Sequence, residues 1–231
     1  MTKGSTRQPA AAPVKARGRG RPARISRDRI ARAALEIGID KATVTALAGH
    51  LGVDHSSLYR HVTGREEIVA LAAEIAIEEL DWRGKDCAGW REELIALTDA
   101  IWDLYERHPG LAEAFRALEV MPQSGIRAFA EAVARLQSQG FSLPDSVLAV
   151  DMLIDLAGDC FLGWRALHQT DRRRPAGEDM ASIWEDAATT MPESEEQIGG
   201  MLAVIRSGPR PWWERKRDLV LDGLAANRAP A

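Results

Sequence analysis

Six of the seven residues from His55 to His61 can donate or accept a hydrogen bond: His55, Ser56, Ser57, Tyr59, Arg60 and His61. The seventh, Leu58, is apolar. Arg60 carries the sharpest chemistry, because a guanidinium can pair bidentately with O6 and N7 of guanine. A metal centre is not expected. His50, His55 and His61 are five and six residues apart, which does not put ligands on one helical face, and no Cys or carboxylate completes a set. Nor is there a Gly-rich phosphate loop or a Gly-x-Ser-x-Gly elbow, so the chain is not expected to be an enzyme and no cofactor is implied. Upstream, Lys15 to Ser26 holds five basic residues among Gly, Ala and Pro, including Arg19-Gly20-Arg21-Pro22. Arg19 and Arg21 flank a Gly that permits close approach, a pattern narrow enough for a DNA minor groove.

The elements that must position these groups read as helices. Ser26 can cap a helix whose Ile30, Ala33, Ala34 and Ile37 form one stripe, ended by Gly38. Thr43 can cap a second, with Val44, Leu47, Ala48 and Leu51 facing inward and Gly52 as breaker. Asp54 is placed to cap a third, Asp54 to His61, with Leu58 inward. Thr63 and Glu66 have capping-box spacing and open a fourth helix, to about Leu80. Two short helices joined at a Gly, with small Ala48 allowing a close crossing, have the helix-turn-helix layout. A plain pair of core helices with a solvated polar face is the bland alternative.

Further helices are expected at about 88–107, 111–120, 123–139, 144–169, 178–190, 194–206 and 212–226, with 170–179 as a surface loop. Strand signals are nearly absent. The fold class is therefore all-α: a small N-terminal helix-turn-helix domain and a larger C-terminal helical one. The boundaries expected are a disordered basic arm over 1–24, the helix-turn-helix domain over 25–70, and a larger helical domain over 71–231.

Charge is divided along the same line. Residues 1–65 hold 13 Lys and Arg against four acids, a net of +9, while the rest carries −13, giving −4 overall. A basic end beside an acidic remainder suggests a nucleic-acid end and a part with another task. No apolar run approaches the roughly 18 to 20 residues that span a bilayer, so no membrane partner is expected. The first 26 residues lack a secretory apolar segment, and Cys87 and Cys160 stand far apart without a CxxC. A cytoplasmic protein with reduced thiols is the simple expectation.

Residues 29–69, RIARAALEIGIDKATVTALAGHLGVDHSSLYRHVTGREEIV, resemble the DNA-binding domain of the tetracycline-repressor (TetR) family. The matching features are Ala33-Ala34, Gly38, Leu47-Ala48, Gly52-Val53, Leu58-Tyr59, His61-Val62 and Arg65-Glu66, in gapless spacing. Asp54 departs from the family's frequent Ser and adds a negative charge near DNA. The resemblance implies that Thr43, Tyr59, His61 and Arg65 hold phosphates. Thr45, His55, Ser56 and Arg60 would face base edges in the major groove, with Ser57 near the backbone.

The resemblance also implies a homodimer, built on the helices matching 144–169 and 213–226, that meets double-stranded DNA at a near-palindromic operator. Residues 146–167 are apolar nearly all round, as burial on more than one side requires. Such a regulator would be a repressor released by a small-molecule effector. Of the aromatic residues on the middle helices, Trp102, Tyr105, Phe115 and Phe161, with Met152, are expected to line the effector pocket. Asp151, Asp155 and Asp159 form one acidic stripe, either a solvated, salt-bridged face or a wall that prefers a cation. The alternatives in function are an architectural DNA-binding protein with little sequence preference and, with less in its favour, a helical enzyme.

Overall fold

The computed structural model describes residues 25–82, 87–117, 122–168 and 180–228, and among them there are helices and turns but no strand. Arg19 and Arg21, and the loop expected at 170–179, lie outside the described residues. Helix α1 spans Arg27–Ile37 and is capped by Ser26, whose hydroxyl accepts from the Arg29 N–H at 3.2 Å. Ile30, Ala31, Ala33 and Ala34 are buried. A 3-10 turn, Ile39–Lys41, leads to α2, Val44–Leu51, where the Thr43 hydroxyl accepts from the Ala46 N–H at 3.1 Å. Gly52 ends α2 at φ +66°, a left-handed conformation that favours glycine.

Three local expectations are corrected here. The regular part of α3 is one turn, His55–Leu58, and the chain continues as tight turns to His61. Asp54 has the extended backbone of an N-cap, yet its carboxylate accepts no capping bond. Helix α4, Arg65–Glu78, is closed by Glu67 rather than Glu66. The Glu67 carboxylate accepts from the Thr63 N–H at 2.6 Å and the Thr63 hydroxyl at 2.9 Å. Those bonds, with Arg27 beside it, hold the Glu67 carboxyl below its ordinary range. The box moved by one residue because Gly64, not Thr63, is the N-cap.

Helix α4 packs against α1 on one side and against α6 and α7 on the other, so it joins the small domain to the large one. The large domain adds α5 (Trp90–Arg107), α6 (Leu111–Ala117), α7 (Gln123–Ser138) and α8 (Leu143–His168). After these come α9 (Met180–Thr190), α10 (Glu195–Ser207) and α11 (Pro209–Arg228). Pro209 and Pro211 fall in the first turn of α11, where a missing N–H costs nothing, so that helix starts earlier than the expected 212. Glu74 of α4 accepts from the Ser124 N–H at 2.9 Å, using a carboxylate on one helix to satisfy the exposed start of another.

Helix α8 is the centre of the large domain and meets α5, α6, α7 and α11. Its Ala149, Val150, Leu153 and Ala157 are fully buried. Trp102 of α5 stacks on Trp213 of α11 at 5.8 Å and 10°, and meets Phe161 of α8 edge-on at 5.3 Å. Arg217 of α11, buried, pairs with Asp99 of α5 at 2.8 Å. Among the described residues no helix is long and apolar enough to cross a membrane.

Candidate DNA-reading surface and ligand cavity

Leu58 and Val62 are buried in the same core as Leu47 and Ala48, which fixes the rotation of the short α3. That leaves His55, Ser56, Tyr59 and Arg60 exposed, with Ser57 and His61 half-buried. Tyr59 is 58% exposed, its ring standing clear of the core. Thr43 and Thr45 are exposed at the start of α2. The backbone between Leu58 and Val62 closes through bonds from the His61 N–H (2.8 Å) and Val62 N–H (3.1 Å) to the Leu58 carbonyl. The nine polar positions expected from Thr43 to Arg65 therefore share one small, rigidly backed unit.

Arg65 has a second tie that sequence did not reveal: its guanidinium donates to the Ile39 carbonyl at 2.9 Å. It is an exposed residue that holds the 3-10 turn before α2. His50 lies 2.9 Å from a Glu36 carboxylate oxygen on α1. Among the described residues no group of three His, Cys, Asp or Glu is arranged to hold a metal ion.

A cavity of about 490 Å³ opens between α5, α6, α7 and α8 in the large domain. That is an ordinary size for a small-molecule site. Of the five residues expected to line it, Tyr105 and Phe115 do. Trp102 and Phe161 do not: they form the aromatic layer behind Tyr105, which meets Phe161 at 5.3 Å. Met152 is a correction of another kind. It is 37% exposed and outside the lining, because each helical residue turns about 100° and Asp151 takes the inward position. The lining adds Ile101, Phe129, Arg116, Asp151 and Asp155. Helical period made the acidic stripe visible in advance, whereas nothing in the spacing singled out Arg116. Arg116 forms an ion pair with Asp159, the third member of the stripe. Burial pushes the Tyr105 phenol up to about 12, with Arg116 pulling it down and Asp155 raising it.

Cavity and reading unit meet at the corner between α5 and α6. The Pro109 carbonyl accepts from the Ile39 N–H at 3.0 Å and the Asp40 N–H at 3.4 Å. Gly110, at φ +89°, lies so close that a Cβ there would stand 2.5 Å from the Asp40 nitrogen. His108 beside it hydrogen-bonds the Leu35 backbone of α1. Burial foremost, then Arg107, hold its imidazole below the ordinary His range, against smaller upward pulls from Glu79 and Leu35, which favours the neutral ring.

No family model matches the chain. It is 26% identical over 175 residues to the HTH-type transcriptional repressor DrrR1 of Streptomyces coeruleorubidus, covering 72% of this chain and 63% of that protein. The chain thus spans somewhat less than two thirds of this relative's length. A crystal structure of a possible TetR-family transcriptional regulator from Streptomyces coelicolor A3(2) superposes with a TM-score of 0.73 at 22% identity, over 88% of this chain and all of that one. The Streptomyces coelicolor TetR-family protein ActR, in complex with actinorhodin, gives 0.69 at 21% identity, over 88% and 96% of the two chains. These relatives are regulators, not enzymes. With an all-helical body, a helix-turn-helix unit at its start and a cavity in its larger part, the chain has the fold of the TetR-family transcriptional regulators.

Proposed function

We propose that the chain is a ligand-responsive transcriptional repressor, cytoplasmic and homodimeric, that holds a near-palindromic operator until a small-molecule effector fills its cavity. The observation that carries this reading is the α5–α6 corner. Helix α6 supplies Ala112, Phe115 and Arg116 to the cavity, and the residue just before it, Gly110, is wedged against Asp40. A ligand that displaces α6 therefore presses on the segment that sets the start of α2. A packed backbone contact transmits such a shift because it cannot deform smoothly. Release requires that the ligand bind the non-reading arrangement more tightly, a coupling typically of about 1–3 kcal/mol. The curated relative is a repressor, and a solved relative of this fold is a complex with actinorhodin, which supports both halves of the reading.

On DNA, His55, Ser56, Arg60 and Thr45 face base edges, while Thr43, Tyr59, His61 and Arg65 grip phosphates and Ser57 sits near the backbone. Arg19 and Arg21 add a minor-groove hold. Selection of bound sequences from random DNA, with and without competitor, tests the reading directly: it should enrich one short palindrome. Enrichment of nothing would leave an architectural protein. Arg60→Ala should lose about 1–3 kcal/mol at one base position and relax preference there. If affinity and preference both survive that change, α3 is not the reading element.

We put the dimer face on α8 and α11, where Leu148 (56%), Met152 (37%) and Leu219 (74%) stand exposed. Leu148 and Met152 stand one turn apart on α8, and adjoining exposed apolar side chains form the kind of patch that marks an interaction surface. Leu148→Glu combined with Leu219→Glu should convert dimer to folded monomer by light scattering and weaken operator binding. A double variant that stays dimeric moves the interface elsewhere.

A further inference from the structure

The polar groups of the cavity do not cancel one another. Its wall is largely aliphatic and aromatic, with Ile101, Phe115, Phe129 and Ile154 prominent. Into this apolar surface project Tyr105, Arg116, Asp151 and Asp155. Arg116 is already engaged by Asp159. Asp151 and Asp155 have no ion-pair partner among the described residues. Asp159 lies outside the lining but neutralises Arg116, so the two carboxylates of the lining stand uncompensated, a balance of −2. The two unpaired carboxylates sit at i and i+4, one above the other on α8, where like charges repel. Both are exposed at the cavity rather than sealed, so a ligand can reach them.

Tyr105 points to the same conclusion independently. The residue is only 7% exposed, and its hydroxyl makes no hydrogen bond among the described residues. It faces Gly158, where a Cβ would come within 3.9 Å of the phenolic oxygen. The ring is packed while the hydroxyl opens on the cavity, where a group on a ligand can bond it. With its proton retained, it can both donate and accept.

We infer that the cavity takes an amphipathic organic cation: an apolar, ring-containing body against Ile101, Phe115 and Phe129, with a protonated amine between Asp151 and Asp155. A polar substituent on the body meets the Tyr105 hydroxyl. This rests on the cavity being the effector site, as proposed above. An anionic ligand would have to approach a wall of net charge −2 with its one guanidinium already taken. A neutral one would leave the carboxylate pair repelling as before. Only a cation adds the attraction of opposite charges to its hydrogen bonds and offsets the repulsion between the two carboxylates.

The test uses three probes with one ring system: 9-(aminomethyl)anthracene, 9-(hydroxymethyl)anthracene and anthracene-9-carboxylate. Each is titrated calorimetrically into the full-length chain in the absence of DNA. The amine should bind about tenfold tighter than the alcohol, with the carboxylate weakest. In the Asp151→Asn, Asp155→Asn double variant the amine-to-alcohol ratio should fall below about twofold. The substitution is isosteric at two exposed positions, and a thermal melt shows whether the fold is kept. Equal binding of the three probes, a preference for the carboxylate, no binding of the amine, or a ratio that survives the double substitution would each overturn the inference. Operator selection on the same preparation, without probe, is scored separately. A chain that enriches a palindrome but shows no amine preference loses only the ligand assignment. A chain that enriches nothing loses the repressor reading, while the amine preference is still decided by the titrations.

Discussion

Gly110→Ala should destabilise the folded chain by about 2–5 kcal/mol. A left-handed backbone costs an L-residue roughly 1–2 kcal/mol, and overpacking a tight contact adds about 1–3. Both apply at this position. Gly110 sits at φ +89°, and the added Cβ would meet three atoms of Asp40: the nitrogen at 2.5 Å, Cβ at 2.9 Å and Cα at 3.0 Å. Two of these are backbone, so no side-chain rotation relieves the clash. The relief available is separation of the α5–α6 corner from the 3-10 turn, which would lengthen both bonds to the Pro109 carbonyl. Urea unfolding should show the loss as a lower midpoint at unchanged slope. In the fraction that remains folded, the effector should release DNA less completely, because α6 no longer bears on Asp40. Gly49→Ala is the control, since nothing lies within 4 Å of its Cβ position and it stands inside α2. It should stabilise by about 0.5–1 kcal/mol. A Gly110→Ala protein within about 0.5 kcal/mol of the parent would mean that the corner is not tightly packed, and the coupling route would fall with it.

Trp102→Ala should cost about 3–5 kcal/mol, the usual range for deleting a buried tryptophan. Trp102 is fully buried and is held on three sides: by Trp213 in a parallel stack, by Phe161 edge-on, and by Glu106, which accepts from its indole N–H at 2.8 Å. Its loss empties the space between α5, α8 and α11 just behind Tyr105. The cavity would therefore deepen while the helix-turn-helix unit kept its own core. Trp102→Phe should retain part of the packing and cost less. If Trp102→Ala unfolds at the parent's denaturant midpoint, the three aromatic rings are not a cooperative core.

Much of this fold could be read directly from residue order. Ser26, Thr43, Gly38 and Gly52 mark helix ends through backbone chemistry that acts within a few residues, and the structure has those ends where expected. The apolar faces of the first two helices followed from period alone. Local signals failed where two adjacent residues competed for one task. Gly64 took the N-cap from Thr63, so Glu67 rather than Glu66 closed the box. In the cavity, the aromatic residues were visible but their order in depth was not. Tyr105 and Trp102 lie on one helix, yet one lines the cavity and the other is stacked behind it on Trp213. Met152 and Asp151 are neighbours in sequence and face different surroundings.

Residue order was enough for an all-helical chain, a helix-turn-helix whose polar face runs from His55 to His61, and an acidic stripe at i, i+4 and i+8. Each of these depends on interactions within one or two helical turns, which spacing encodes. It took packing to make Arg116 answer Asp159 and leave Asp151 and Asp155 without an ion pair among the described residues. Packing likewise tied Arg65 back to Ile39 and set Gly110 against Asp40, seventy residues earlier. Those contacts join segments far apart in the chain, and their geometry is set by how whole helices pack, a quantity no local pattern contains. The proposed grip of Arg19 and Arg21 beside the reading helix belongs to the first kind of knowledge. The inferred charge of the effector belongs to the second, because it rests on two carboxylates that packing left without partners among the described residues.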